Sequence, residues 1–210
     1  MTRILLVDDH TIFREGLKRL LAEQAGYHVI AEASDGAEML RRLRNDEFDV
    51  MLLDINMPGR SGLDMLPSIR AERPGLPVIV LSMYPTDQYA LRAFQAGAAG
   101  YVSKDMDARE LIQAVNKVAS GGRYMAPEVA AKLLEHLDSA TRSAPHLQLS
   151  SREYEIMLQI VRGTRLTEIG KQLFLSVKTV STYRSRILRK VGVDSNAELA
   201  RYALLHKLID

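Results

Sequence analysis

The sequence predicts two domains, a doubly wound α/β domain with a five-stranded parallel sheet and, after it, an all-α domain of four helices. Over residues 1–122, short β-rich apolar runs alternate with amphipathic helical stretches, which is typical of a parallel sheet covered by helices on both faces. Over residues 149–210, apolar residues follow helical spacing and no strand pattern is seen. We expect residues 123–148 to form a linker that contains a short helix with Pro127 in its first turn.

Five predicted strands and five predicted helices alternate in the first domain. The strands are expected at 3–8, 28–33, 49–54, 77–82 and 99–103. The helices are expected at 11–25, 35–45, 62–72, 86–96 and 107–120. The central strands are continuous apolar runs, as expected for strands that are buried on both faces. Glycine and proline residues fall in the connections between these elements.

Capping signals locate the helices of the second domain. Ser150 followed by Glu153 is a capping box in front of an apolar-periodic run, and Gly163 ends that helix. The three later helices are expected at 166–173, at 177–191 behind a Ser176 cap, and from an Asn196 cap to about 206. The short turn 174–176 joins the second helix to the third, which is the pattern of a helix-turn-helix.

The composition excludes several classes of protein. Without cysteine the chain can form neither a disulfide nor a thiolate metal site, and no apolar run approaches the roughly 20 residues of a membrane helix. The N-terminus begins a predicted strand at once and carries no secretion signal, so we expect a cytoplasmic protein.

The two halves of the chain differ in charge. Residues 1–122 carry 14 Lys and Arg against 17 Asp and Glu, a net −3, and the rest carries 14 against 9, a net +5. The basic second half therefore predicts a polyanionic partner.

Polar residues stand where four of the predicted strands end. Asp8 and Asp9 follow the first strand, Asp54 ends the third, Ser82 ends the fourth and Lys104 follows the fifth. In open α/β sheets, ligands bind beyond the carboxyl ends of the strands. We therefore expect these five side chains to form one site.

This set of side chains suits a phosphoryl group bound together with Mg²⁺. Three converging carboxylates repel one another unless a cation neutralises them, and Mg²⁺ is typically held by one or two carboxylates with water and phosphate oxygens. An ammonium and a hydroxyl can contact phosphoryl oxygens, and a carboxylate can act as the nucleophile. A single aspartate is more often a helix cap, but capping does not explain all five groups at successive strand ends.

Residues 1–122 resemble the receiver domain of two-component response regulators, which has a flavodoxin-like fold. The resemblance is carried by the motifs Val7-Asp8-Asp9-His10, Leu53-Asp54-Ile55-Asn56-Met57-Pro58-Gly59, Leu81-Ser82 and Gly97-Ala98-Ala99-Gly100-Tyr101-Val102-Ser103-Lys104. It implies that Asp54 is the phosphoacceptor, and that Mg²⁺ is bound by Asp9, Asp54 and the backbone carbonyl of Asn56, with Asp8 contributing through water. It further implies phosphoryl contacts from Ser82 and Lys104 and a switch formed by Ser82 and Tyr101. Many receiver domains have proline after the lysine, whereas Asp105 follows it here.

The predicted helix 177–191 has an apolar stripe and a basic face. The apolar stripe contains Val177, Val180, Ile187, Leu188 and Val191, and the polar stripe contains Lys178, Thr182, Ser185 and Arg189, flanked by Arg184, Arg186 and Lys190. A solvated charged face would be the ordinary explanation for a basic helix by itself. The preceding helix and the short turn favour instead a recognition helix that lies in the major groove of DNA.

Residues 149–207 resemble a LuxR-type DNA-binding domain, and the whole chain resembles a response regulator of the NarL/FixJ type. The matching motifs are Leu149-Ser150-Ser151-Arg152-Glu153, Gly163, Glu168-Ile169-Gly170-Lys171-Gln172-Leu173, Ser176-Val177-Lys178-Thr179-Val180-Ser181-Thr182-Tyr183 and Lys190-Val191. Ser181 and Tyr183 stand where many relatives have Lys and His, and the segment 164–167 also departs from the usual pattern. We expect base contacts from Lys178, Ser181, Thr182 and Ser185, and phosphate contacts from Thr179, Arg184, Arg186, Arg189 and Lys190.

The interpretation is a transcription factor that phosphorylation switches on, not an enzyme and not a membrane-bound protein. The resemblance implies a sensor histidine kinase as phosphoryl donor, and a homodimer that binds double-stranded promoter DNA and is joined in part through the helix 196–206. That helix is also expected to pack Leu199, Ala203, Leu204 and Leu208 into the core. Two alternatives stay open: a haloacid-dehalogenase-type phosphatase with an aspartyl-phosphate intermediate, and a regulator that binds DNA without phosphorylation.

Overall fold

The computed structural model describes residues 1–57, 61–83, 87–105, 107–127, 129–131, 144–206 and 208–209. The chain divides into two compact units, Met1–Asp138 and Ser139–Asp210. The motif residues Pro58 and Gly59 and half of the predicted linker, residues 128 and 132–143, lie outside the described residues. None of the helices in the described ranges is long and apolar enough to cross a membrane.

The first unit contains a parallel sheet with the strand order β2-β1-β3-β4-β5-β6. Its strands are β1 (Thr2–Val7), β2 (Tyr27–Ala33), β3 (Val50–Asp54), β4 (Val78–Ser82), β5 (Gly100–Ser103) and β6 (Tyr124–Met125). Its helices are α1 (Thr11–Ala22), α2 (Gly36–Asn45), α3 (Gly62–Glu72), α4 (Asp87–Gln95) and α5 (Ala108–Ala119). The predicted alternating α/β fold is confirmed. The sixth strand was not predicted, because two residues beside β5 are too short to show a periodic pattern.

The register of the parallel strands brings the ends of β1, β3, β4 and β5 to one edge of the sheet. Val7 pairs with Leu53, Asp54 with Leu81, and Ser82 with Ser103. Every residue of β3 and β4 is buried, as the continuous apolar runs predicted. Burial of one Leu or Ile side chain stabilises a fold by roughly 1.5–3 kcal/mol. A shift of register would expose several such side chains, so the residues at the strand ends have fixed positions.

The second unit is all-α, as predicted. A 3-10 helix (Pro145–Gln148) precedes the helices α6 (Ser151–Val161), α7 (Leu166–Gln172), α8 (Val177–Val191) and α9 (Asn196–Leu205). The Ser150–Glu153 capping box forms with both of its hydrogen bonds, and the Ser176 hydroxyl accepts a bond from the Thr179 amide.

Three details of the second unit correct the sequence prediction. The cap of α9 is Ser195, not Asn196, because the Ser195 side chain accepts the Glu198 amide while the Asn196 side chain accepts from Arg184. Val177 is 46% exposed and Leu204 is 54% exposed, so neither belongs to the core. The buried side of α8 begins at Val180, one turn after the helix starts.

Candidate functional sites

An acidic pocket lies at the carboxyl edge of the sheet. Asp8 and Asp54 are fully buried and Asp9 is half-buried. One oxygen from each of these carboxylates and a ring nitrogen of His10 all lie within 4.8 Å of one another. The three predicted carboxylates therefore do converge, since β1 and β3 are neighbours in the sheet.

Lys104 bridges two of these carboxylates. Its Nζ lies 2.7 Å from Asp8 Oδ2 and 2.8 Å from Asp54 Oδ2, and its side chain is only 4% exposed. The Lys104 amide donates to the Ser82 carbonyl oxygen over 2.7 Å, which ties the end of β5 to the end of β4. The peptide bond from Lys104 to Asp105 is trans, like the others in the described residues.

The remaining predicted receiver residues line the same edge or lie just behind it. The Asn56 amide donates to Asp54 Oδ1 over 3.2 Å, so the chain after β3 folds back over the carboxylate. Ser82 is fully buried at the last position of β4, and Tyr101 is buried in β5, where it pairs with Val80.

The pocket holds more negative charge than its own side chains neutralise. Three carboxylates face one ammonium, which leaves an excess of two negative charges. Burial raises the pKa of Asp54 above its ordinary value, Lys104 offsets part of that rise, and the Asp8 carboxylate adds to it. A divalent cation with oxygen ligands would match this charge, so the donor set fits Mg²⁺.

A glycine keeps the backbone around Asp54 in place. The Gly62 amide donates to the Ile55 carbonyl oxygen over 2.8 Å at the start of α3. A Cβ atom at position 62 would overlap the Asp54 carbonyl oxygen. A residue larger than glycine would therefore push apart the two segments that shape the pocket.

Three residues from the first turn of α1 and just before it contact the pocket, and sequence reasoning gave none of them a role. His10 Nδ1 lies 2.9 Å from Asp9 Oδ1, the Lys104 ammonium lies over the Phe13 ring, and Arg14 donates to the Asp8 carbonyl oxygen over 2.5 Å. The only available signal was their position directly after Asp9, where a helix must begin against the end of β1.

The exposed side of α8 carries most of the predicted DNA contacts. Lys178, Ser181, Thr182, Ser185, Arg186 and Arg189 are exposed, and Thr179 is half-buried. An open cavity of about 280 Å³ is lined by Lys178, Thr179, Thr182, Tyr183 and Arg186. The Thr182 and Ser185 hydroxyls donate to carbonyl oxygens one turn earlier, Lys178 and Ser181 respectively.

Two predicted phosphate contacts have partners within the second unit. Lys190 Nζ lies 2.5 Å from Glu153 Oε2 and 3.4 Å from the Gln148 carbonyl oxygen, so it ties the end of α8 to the capping box of α6. Arg184 donates through Nε to Asn196 Oδ1 over 2.6 Å, which links α8 to α9. Both side chains therefore hold the helices together in the structure.

The helix-turn-helix depends on a tight crossing and an unusual turn. A Cβ atom at Gly170 in α7 would meet the Leu175 carbonyl oxygen at 2.7 Å. Phe174, which follows α7, has φ +54° and is 71% exposed. Buried Arg152 donates to the Leu173 carbonyl oxygen over 2.8 Å, which satisfies the end of α7.

Comparison with known families defines the class of this protein. Residues 4–116 match the response regulator receiver domain, and residues 147–203 match the bacterial regulatory proteins of the luxR family. The chain therefore belongs to the two-component response regulators of the NarL/FixJ type, which join a receiver domain to a LuxR-type DNA-binding domain. It is a DNA-binding two-component response regulator, as the resemblance predicted.

Individual relatives match over the whole chain. Response regulator GacA from Pseudomonas viridiflava is 38% identical over 211 residues, which cover 100% of this chain and 99% of the relative. Response regulator UvrY from Escherichia coli K12 is 37% identical over 209 residues, 99% of this chain and 96% of the relative.

Two solved structures are similar in fold. A LuxR-family two-component response regulator from Aurantimonas sp. SI85-9A1 is 38% identical with a TM-score of 0.63, over 66% of this chain and 99% of that chain. RcsB from Salmonella enterica serovar Typhimurium, bound to promoter rprA in the presence of the phosphomimetic BeF3⁻, is 25% identical with a TM-score of 0.64, over 96% and 97% of the two chains.

Proposed function

We propose that this protein is a transcription factor switched by phosphorylation of Asp54, with a sensor histidine kinase as the phosphoryl donor. The observation that carries the proposal is the ion-paired position of Asp54, fully buried beside Asp8 and 2.8 Å from the Lys104 ammonium. The relatives GacA and UvrY are named response regulators, which supports the same reading.

The chemistry is a phosphoryl transfer to a carboxylate. An Asp54 oxygen attacks phosphorus, and the P–N bond of a phosphohistidine that is protonated on its other ring nitrogen breaks. The ring keeps that proton, takes the electron pair of the broken bond and leaves as neutral imidazole. Lys104 and Ser82 contact phosphoryl oxygens and offset their charge. Asp9, Asp54 and the Asn56 backbone carbonyl, with Asp8 beside them, would hold Mg²⁺, which would supply further positive charge. The chain is itself the acceptor, so we assign it no enzymatic turnover.

The switch proposed for this protein is the one that the resemblance to receiver domains implies, and it is formed by the buried residues Ser82 and Tyr101. Ser82 moves toward the phosphoryl group and vacates space that the buried Tyr101 ring then fills. The surface formed by α4, β5 and α5 changes with that ring, and the protein forms a homodimer. RcsB is similar in fold over nearly the whole chain, and its structure with promoter DNA was obtained with a phosphomimetic, which supports coupling of this kind.

The DNA-binding element is α8. Its exposed Lys178, Ser181, Thr182 and Ser185 contact base edges, and Thr179, Arg186 and Arg189 contact phosphates. Arg184 and Lys190 contact phosphates only to the extent that their partners Asn196 and Glu153 release them. Because its partners are a histidine kinase and promoter DNA, the protein acts in the bacterial cytoplasm.

Measurement of dimer formation and DNA affinity with and without a phosphoryl mimic tests this function. Beryllofluoride with Mg²⁺ should convert the wild-type monomer to a dimer in light scattering and tighten binding to promoter DNA in fluorescence anisotropy. The variant Asp54→Ala should show neither change. Equal DNA binding by both proteins, with and without the mimic, would favour a regulator that works without phosphorylation.

A further inference from the structure

We propose that Phe13 is a positioning residue for Lys104, and that its ring holds the Lys104 ammonium at the phosphoryl-binding edge of the sheet. The inference rests on the proposed phosphorylation of Asp54. It assigns a task in that reaction to a residue of α1 that contributes no polar group.

The Lys104 ammonium has three contacts in an almost fully buried site, two with carboxylates and one with an aromatic ring. It lies 2.7 Å from an Asp8 oxygen, 2.8 Å from an Asp54 oxygen, and 4.7 Å from the centroid of the Phe13 ring, which it faces. A cation within about 6 Å of an aromatic face is attracted by the ring quadrupole, and the attraction is strongest where water is excluded. Phe13 is itself fixed, since it packs against the apolar cluster that includes Leu17 and Leu111.

The ring is the contact that the reaction leaves unchanged. When Asp54 is phosphorylated, one of its oxygens becomes bonded to phosphorus and the free carboxylate that faced Lys104 no longer exists. When a cation enters the pocket, Asp8 shares its negative charge with that cation as well as with Lys104. The aromatic face keeps its charge distribution in every state. It also imposes no directional hydrogen bond, so the ammonium can turn from carboxylate to phosphoryl oxygen without leaving the ring.

The test compares two substitutions that separate the aromatic face from apolar bulk. Phe13→Leu keeps an apolar side chain in the cluster and removes the face, whereas Phe13→Tyr keeps the face. In the full-length protein, the maximal rate of phosphorylation by acetyl phosphate with saturating Mg²⁺ should fall about tenfold in Phe13→Leu, the effect of ~1.4 kcal/mol. Phe13→Tyr should retain a rate close to that of wild type. Leu20→Ala is the matched control, since Leu20 also lies on α1 and packs against the same cluster.

A second readout follows the ammonium itself. In proton–nitrogen-15 correlation spectra of the unphosphorylated protein, the proton chemical shift of the Lys104 ammonium should be moved upfield by the aromatic ring current in wild type and Phe13→Tyr. This upfield shift should be lost in Phe13→Leu.

Equal phosphorylation rates in wild type and Phe13→Leu, or an equal slowing in Phe13→Leu, Phe13→Tyr and Leu20→Ala, would overturn the inference and leave the proposed function standing. No phosphorylation of folded wild type would overturn the proposed function and this inference together.

Discussion

Removal of the Arg186 guanidinium should flatten the salt dependence of DNA binding. Arg186 lies on the exposed side of α8, beside Lys178 and Thr182, and forms no ion pair with any residue in the described ranges. A side chain that neutralises one phosphate contributes about 0.9 to the slope of log affinity against log salt. Between 50 and 200 mM salt, a fourfold rise, one such contact makes wild type lose about 3.5-fold more affinity than Arg186→Ala.

The assay is fluorescence anisotropy with a labelled duplex at four or five salt concentrations. Any duplex serves, because phosphate contacts do not depend on base sequence. Arg41→Ala is the charge-matched control, since Arg41 lies on α2 in the other unit and is well exposed. Lys190→Ala should change the slope less than Arg186→Ala, because the Lys190 ammonium already lies against Glu153.

Two results would refute this reasoning. An unchanged slope in Arg186→Ala would mean that Arg186 contacts no phosphate. An equal flattening in Arg41→Ala would mean that net charge, and not the position of Arg186 on α8, sets the salt dependence.

Three substitutions test the structural account. Burial raises the pKa of Glu153, but the hydrogen bonds from Lys190 and Ser150 outweigh that effect and hold the pKa below its ordinary value of 4.5. Glu153→Gln should therefore cost about 2 kcal/mol of unfolding free energy at pH 7. Urea titrations at several pH values should show that this difference shrinks as pH falls below 4.5 and the wild-type carboxylate is protonated. Gly62→Ala should lower the unfolding free energy by about 1–3 kcal/mol in the same assay, because a Cβ atom at position 62 overlaps the Asp54 carbonyl oxygen. An unchanged unfolding free energy would mean that the backbone at the start of α3 can move away from Asp54 without cost. Phe174→Gly should stabilise the protein by about 0.5 kcal/mol, because glycine adopts the left-handed backbone of this position without steric strain. The substitution increases the entropy of the unfolded chain and removes little buried apolar surface, since Phe174 is 71% exposed. A lower urea midpoint for Phe174→Gly would mean that packing of the Phe174 ring stabilises the fold.

The fold could be predicted because its signals are periodic and local. The apolar runs of β3 and β4 and the alternation with helices determine a parallel sheet, and the parallel register then brings Asp8, Asp54 and Lys104 together. Convergence of the pocket was thus a consequence of topology. The strand β6 could not be predicted, because its two residues owe their conformation to the neighbouring β5.

The errors and omissions all concern contacts between elements. Ser195 and Asn196 are both good capping residues, and the choice depends on Arg184, which occupies the Asn196 side chain from another helix. The contact of Phe13 with Lys104 joins residues on α1 and beyond β5, so no sequence spacing reveals it. Likewise, the sequence predicts that Lys190 contacts a DNA phosphate, whereas in the folded unit its ammonium forms an ion pair with Glu153.

The central claim is that Asp54 is the phosphoacceptor, and intact mass spectrometry tests it most directly. Wild type and Asp54→Ala are incubated with acetyl phosphate and Mg²⁺, and both are shown to be folded. We expect wild type to gain the mass of one phosphoryl group and Asp54→Ala to gain none. A wild-type protein that gains no mass, or an Asp54→Ala variant that gains the same mass, would contradict the claim.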